Sequence, residues 1–165
     1  MQISLASHIS STTARRSIAE VDAILRDARP WLYRLALAVT ARPDTAEDVT
    51  QEALVRAARS REKLQAVDEP RAWLRTVVVR CAVTALGCAT SEAVLENTVE
   101  ADPTDALAVR HTLSRLDPTD RAVLALAHFE ELTYAEIGQV LDIPVGTVAS
   151  RLHAAREAFR KEWRK

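Results

Sequence analysis

From position 145 to the end of the chain, Arg151, Arg156, Arg160, Lys161, Arg164 and Lys165 stand against only Glu157 and Glu162. Thr147, Ser150 and His153 are interleaved with the first of these cations. Guanidinium, hydroxyl and imidazole groups at helical spacing are chemistry for phosphate oxygens and base edges. The same cations also suit the end of any solvated helix, where they meet the negative pole of the macrodipole. A second polar grouping is "DTAEDVTQE", residues 44–52, with four acids and no base. Asp48, Gln51 and Glu52 share one helical face there. Such a face can bond basic side chains across a protein interface; it is equally the ordinary acidic start of a helix. Groups for covalent catalysis are not assembled. The four histidines (His8, His111, His128, His153) are scattered, no Ser/His/Asp set is visible, and there is no Gly-rich phosphate loop. The chain is expected to be no enzyme and to carry no cofactor. Cys81 and Cys88 lie seven apart with no nearby ligands, so they make no zinc site and read as small core residues in a reducing compartment.

The elements that must position these groups are helices. Apolar residues make up 48% of the 165, aromatics only 4%, and there are 3 glycines, a composition that fits an all-α fold far better than a sandwich or barrel. Ile24, Leu25, Trp31, Leu32, Leu35, Ala36 and Val39 step at helical spacing, with Pro30 marking a break or second start. Asp44 and Glu47 give a D-x-x-E start signal, followed by a stripe of Ala46, Val49, Ala53, Leu54 and Ala57. A third helix starts near Pro70 and offers Trp73, Leu74, Val77, Val78, Cys81 and Ala85 to a core. These make a three- to four-helix N-terminal bundle over 18–87. "GCATSEAVLENTVEADPTD" then carries five acids and no base, an acidic linker placed at 88–104. Four helices follow over 105–165. Their starts are signalled by Asp117–Pro118, by a Thr133-x-x-Glu136 capping box and by Pro144. The last two form a helix-turn-helix by spacing, with Val145, Val148, Leu152, Ala155, Phe159 and Trp163 facing the bundle. Residues 1–17 are Ser/Thr-rich, lack a continuous apolar run, and read as a disordered tail. No apolar run approaches the roughly 20 residues of a membrane span, which points to the cytoplasm.

Several stretches, taken together, resemble a known family. "LDPTDRAVLALAHFEELTYAEIGQVLDIPVGTVASRLHAARE" resembles the C-terminal promoter-binding domain of extracytoplasmic-function (ECF) sigma factors. "DTAEDVTQEALVRA" and "EPRAWLRTVVVRCAV" resemble that family's N-terminal domain. The resemblance implies an adaptor that docks on bacterial RNA polymerase core, at the clamp of the largest subunit, through Asp48, Gln51 and Glu52. It implies a downstream promoter element read from the third helix, by Arg75, Arg80 and Thr84. It implies an upstream element read by Thr147, Ala149, Ser150, Arg151, His153 and Arg156. An anti-sigma factor is the further partner it implies. Arg80 and Thr84 stand where relatives usually carry Asn followed by Asp or Asn. Ala149 and Ala154 stand where cations are usual, and Asp142 replaces the usual turn Gly. Three readings therefore stay open: a sigma factor with weak or unusual promoter preference, a sigma-like protein that binds core polymerase or an anti-sigma factor without reading DNA, and an unrelated helix-turn-helix regulator.

Overall fold

The computed structural model describes residues 15–88 and 105–165. Most of the expected tail (1–14) and of the acidic linker (89–104) lies outside the described residues. Within them the chain is entirely helical, as the composition predicts: α1 (Ile18–Thr40), α2 (Pro43–Arg59), α3 (Arg61–Ala66), α4 (Pro70–Cys88), α5 (Asp105–Ser114), α6 (Pro118–His128), α7 (Tyr134–Leu141) and α8 (Val145–Trp163).

Helix α1 starts at a capping box inside the stretch expected to be a tail. Glu20 N donates to Ser17 Oγ (3.3 Å), and Ser17 N donates to a Glu20 carboxylate oxygen (2.6 Å). Arg16 fastens this start to the N-terminal bundle by donating to the carbonyls of Val67 and Asp68. The helix runs on through Pro30. Proline inside a helix costs about 3 kcal/mol. Val21, Ala28, Leu32, Leu35, Ala36 and Val39 are all buried on one stripe spanning it. Each large side chain in that stripe returns roughly 1.5–3 kcal/mol, so one unbroken register wins. The helix stops at Ala41, whose left-handed backbone (φ 58°) lets its N–H reach the Leu37 carbonyl.

The start expected at Asp44 is shifted. Pro43 is the first residue of α2, Arg42 precedes it without a side-chain cap, and Glu47 accepts instead from Arg29 (2.6 Å). Downstream the α2 stripe is as expected, with Ala46, Val49, Ala53 and Ala57 buried and Leu54 partly so. Helix α3 has no periodic signal in the sequence because Leu64 is its only buried residue. On α4 the core positions are Leu74, Val78, Val79, Cys81 and Ala82, with Trp73 and Val77 partly buried. Ala85 is exposed, contrary to expectation. The buried arc is wide because α4 packs on α1 and α2 and also on α6 and α7. Helix α1 likewise packs on α6, and one apolar cluster runs from Val21 through Val78 to Ile137 and Leu152.

In the C-terminal half, Asp117 caps α6 by accepting from Thr119 N (2.8 Å). Arg121 is buried beneath it and donates to the carbonyls of Leu113 and Ser114 at the end of α5. On α8 only Val148, Leu152 and Ala155 are buried. Val145 and Trp163, expected in the core, are 50% and 48% exposed. Trp163 stacks on Phe159 at 5.8 Å between ring centres, so each ring covers the other where the bundle has run out.

Candidate nucleic-acid and polymerase-docking interfaces

The helix-turn-helix is built by three local devices. Thr133 and Glu136 form the expected capping box: Glu136 N donates to Thr133 Oγ1, and Thr133 N donates to the Glu136 carboxylate at 2.8 Å. Thr133 Oγ1 also donates to that carboxylate (2.6 Å), and this bond first, then the one from Thr133 N, holds the Glu136 carboxyl below its ordinary range. The charged cap is thus fully present above that range and fades as pH falls through the lowered value. Thr133→Ala is expected to cost about 1 kcal/mol of stability, read as a lower denaturant midpoint with an unchanged slope. The turn itself uses Asp142 in the left-handed region (φ 57°, ψ 47°), its N–H returning to the Gly138 carbonyl. Gly138 is buried against the turn. A Cβ there would sit 2.8 Å from the Ile143 carbonyl oxygen.

These devices present one face of α8. Ala149, Ser150 and His153 are exposed and Thr147 partly so. Ser150 Oγ donates to the Thr147 carbonyl. Arg151 lies 3.9 Å from Asp120, a loose pairing that leaves its guanidinium able to turn outward. Burial, and then Asp117, push the Asp120 carboxyl upward, with Arg151 opposing them. Arg156 Nε donates to His128 Nε2 (3.3 Å), which ties it to α6. The cation excess counted along the sequence is reduced within the fold: Arg160 pairs with Glu157 and Lys165 with Glu162.

On α4 the three expected promoter-facing residues part company. Thr84 is exposed near the helix end. Arg75 is only 14% exposed, and its Nε bonds Glu130, itself 4% exposed, at 2.8 Å. Arg80 Nε and Nη2 donate to the Val140 and Gln139 carbonyls (3.1 and 3.3 Å). These are orphan acceptors at the end of α7, where a cation is favoured. Sequence reasoning missed Glu130, which lies 55 residues from Arg75 and belongs to no local pattern. It also missed an open groove beside α4 in which Arg56, Arg59 and Arg80 surround Trp73 and Val77. An aromatic plane among cations suits an unpaired nucleotide strand.

The α2 face is brought together as expected: Asp48, Gln51 and Glu52 are exposed or partly so. Glu52 accepts from Arg56 (2.6 Å), and Gln51 donates to Glu47 (3.3 Å). Asp48 has no side-chain partner among the described residues. Cys81 is buried, and burial raises its thiol above the ordinary range, which makes it a poor nucleophile. The described residues hold no cluster of three or more metal-ligating side chains. No described helix is long and apolar enough to cross a membrane.

Residues 24–91 match the family described as Sigma-70 region 2, and residues 106–159 match Sigma-70, region 4. The chain is similar to the ECF RNA polymerase sigma factor SigW of Bacillus subtilis, 27% identical over 155 residues covering 81% of this chain and 83% of that one. It is 32% identical over 142 residues to ECF RNA polymerase sigma factor SigL of Mycobacterium tuberculosis, covering 78% of this chain and 80% of the relative. The fold is shared with the sigma factor RpoE of Bartonella quintana, solved in complex with the anti-sigma factor NepR. That likeness has a TM-score of 0.68 at 19% identity, over 89% of this chain and 98% of that one. A relative 32% identical over four fifths of its length, together with two sigma-70 regions in order, shows the family: the chain belongs to the ECF sigma factors of bacterial RNA polymerase.

Proposed function

We propose that this sigma factor docks on core RNA polymerase through Asp48, Gln51 and Glu52 and reads promoters with both halves. Residues 18–87 form the docking and downstream-element unit. Residues 105–165 form the upstream-element unit, and the acidic segment between them is the linker. Arg75, Arg80 and Thr84 on α4 serve the downstream element, with the Trp73 groove beside them. Thr147, Ala149, Ser150, Arg151, His153 and Arg156 serve the upstream element. Ala149 supplies no charge but offers a methyl group to a thymine methyl. Polymerase supplies the nucleotide chemistry; the chain supplies placement. An anti-sigma factor is a proposed partner, by analogy with the complex of the Bartonella relative.

The observation that carries this reading is the co-occurrence, in one chain and in order, of the region 2 and region 4 matches. It favours the first of the three readings over a protein that never touches DNA. Run-off transcription with purified core polymerase tests it. Genomic fragments should yield transcripts with defined starts only when this protein is added; core binding without initiation would return the second reading. Within that assay Arg151→Ala should weaken upstream-element binding by about 1 kcal/mol or more and lower the salt slope by about 1. An unchanged slope would remove Arg151 from the interface.

A further inference from the structure

The cations at the C-terminal end of the chain divide by where their partners lie. Arg160 pairs with Glu157 and Lys165 with Glu162, each about one turn back along the same segment. Arg151 and Arg156, the two arginines proposed to meet the upstream element, are instead tied across to α6. Arg151 Nη1 lies 3.9 Å from Asp120 Oδ1, in the first turn of α6. Arg156 turns both Nε and Nη2 toward His128 Nε2, at 3.3 and 3.2 Å, and His128 is the last residue of that helix. A guanidinium offers donors only, so His128 Nε2 must accept. The two arginines are thus held at opposite ends of α6, which packs along α8.

Stability does not account for either tie. The Arg151 and Asp120 side chains are 38% and 20% exposed, and the Arg156–His128 bond is exposed; pairs open to solvent add little to folding. Their effect is on orientation. An arginine has large rotamer freedom, and holding it in place beforehand removes part of the ordering cost of association. We infer that Asp120 and His128 are positioning residues of the upstream-element interface: from α6 they aim Arg151 and Arg156, and do not touch DNA themselves. The inference rests on the promoter-reading role proposed above for α8. It adds to the determinants of specificity a helix that has no promoter contact in that reading. The two residues act differently. Asp120 partly offsets the charge of Arg151, so it weakens attraction to the phosphates of any sequence. It favours discrimination over affinity. His128 leaves the charge of Arg156 whole and supports both.

The test is a pair of double-mutant cycles in holoenzyme at fixed salt. The probe is a promoter fragment that wild-type holoenzyme transcribes, with its upstream segment native or scrambled. One cycle combines Asp120→Asn with Arg151→Ala, the other His128→Ala with Arg156→Ala. Asp120→Asn should lower the native-to-scrambled affinity ratio about threefold to tenfold and raise affinity for the scrambled fragment. His128→Ala should weaken binding to the native fragment about threefold, and His128→Gln, which keeps an acceptor, should restore it. In the Arg151→Ala or Arg156→Ala background the matching α6 change should have no further effect. Additive losses overturn the inference, because Asp120 or His128 would then be reading DNA directly. Single α6 variants with wild-type ratios and affinities overturn it as well. So does a loss that tracks a lowered melting temperature and that His128→Gln does not restore, since α6 would then only be disturbed. If Arg151→Ala and Arg156→Ala themselves leave upstream binding unchanged, the role proposed for α8 fails and takes the inference with it. That result is distinct from inert α6 variants beside damaging arginine variants, which sink the positioning role alone.

Discussion

Gly138→Val is expected to be among the most damaging single substitutions outside the large core residues. A Cβ at this position lands 2.8 Å from the Ile143 carbonyl oxygen, and the methyl groups beyond it head toward Val145 and Val148, whose Cγ2 atoms already lie 3.7 Å from that Cβ. The blocking atom is backbone, so it cannot rotate away. Either α7 or the turn through Asp142 must shift, and the turn also carries the left-handed residue and the Ile143 N–H bond to Gly138. Overpacking of a tight site costs about 1–3 kcal/mol. The helical preference lost by glycine returns at most about 1 kcal/mol, and less to a β-branched side chain. A net loss of about 0.5–2.5 kcal/mol should lower the melting temperature by roughly 1–10 °C in a chain of this size. A Cβ added at Gly146, in the first turn of α8, would meet nothing within 4 Å. Gly146→Ala should therefore leave the melting temperature unchanged or raise it. Opposite signs at these two glycines are the discriminating result; equal effects would mean that α7 and α8 do not approach this closely.

What could be read from the sequence divides along the range of the interaction. The Thr133–Glu136 box, the Asp117 cap and the α2 stripe all formed as expected. Each is decided within one or two turns of helix. The exposure of Asp48, Gln51 and Glu52 followed because a helix with Ala46, Val49, Ala53 and Ala57 inside must turn them outward. Errors arose where a distant partner decides. Pro30 interrupts nothing because residues on both sides of it are held by the same core. Glu47 left its expected cap for Arg29, a residue of another helix. Ala85 is exposed although Leu86 beside it still packs on the core, and Trp163 is exposed at the end of α8; periodicity alone cannot say which flank of a stripe its neighbours cover. Arg75 and Arg80 were placed on the right helix, yet their bonding depends on Glu130 and on the end of α7, 55 and 60 positions away. Asp142 is the instructive exception. Its departure from the usual Gly marked a turn position, and the backbone there is left-handed (φ 57°), a conformation that Asp reaches at modest cost.

Reversing Asp48 and Glu52 together should reduce retention on core polymerase by at least about a hundredfold. Close charge pairs across protein interfaces couple by about 1.5 kcal/mol or more each, and a hundredfold corresponds to about 2.7 kcal/mol. Two lost attractions and two new repulsions exceed that. The single changes are not equivalent, and the difference is diagnostic. Asp48 has no internal side-chain partner among the described residues, so Asp48→Arg alters the docking face and little else. Glu52 accepts from Arg56, with both side chains about half exposed (50% and 54%). Glu52→Arg therefore also sets two guanidiniums one turn apart, at a cost to the helix of only about 0.2–0.5 kcal/mol. If retention falls because docking is lost, Asp48→Arg alone must weaken it with helix content and melting temperature unchanged. If it falls only through damage to α2, Asp48→Arg will bind normally while Glu52→Arg does not. The reference is Glu62→Arg, a charge reversal on exposed α3 that changes net charge equally and should leave retention intact. A uniform loss across all three variants would show that bulk charge, rather than this face, brings the protein to polymerase, and the docking assignment would fall with it.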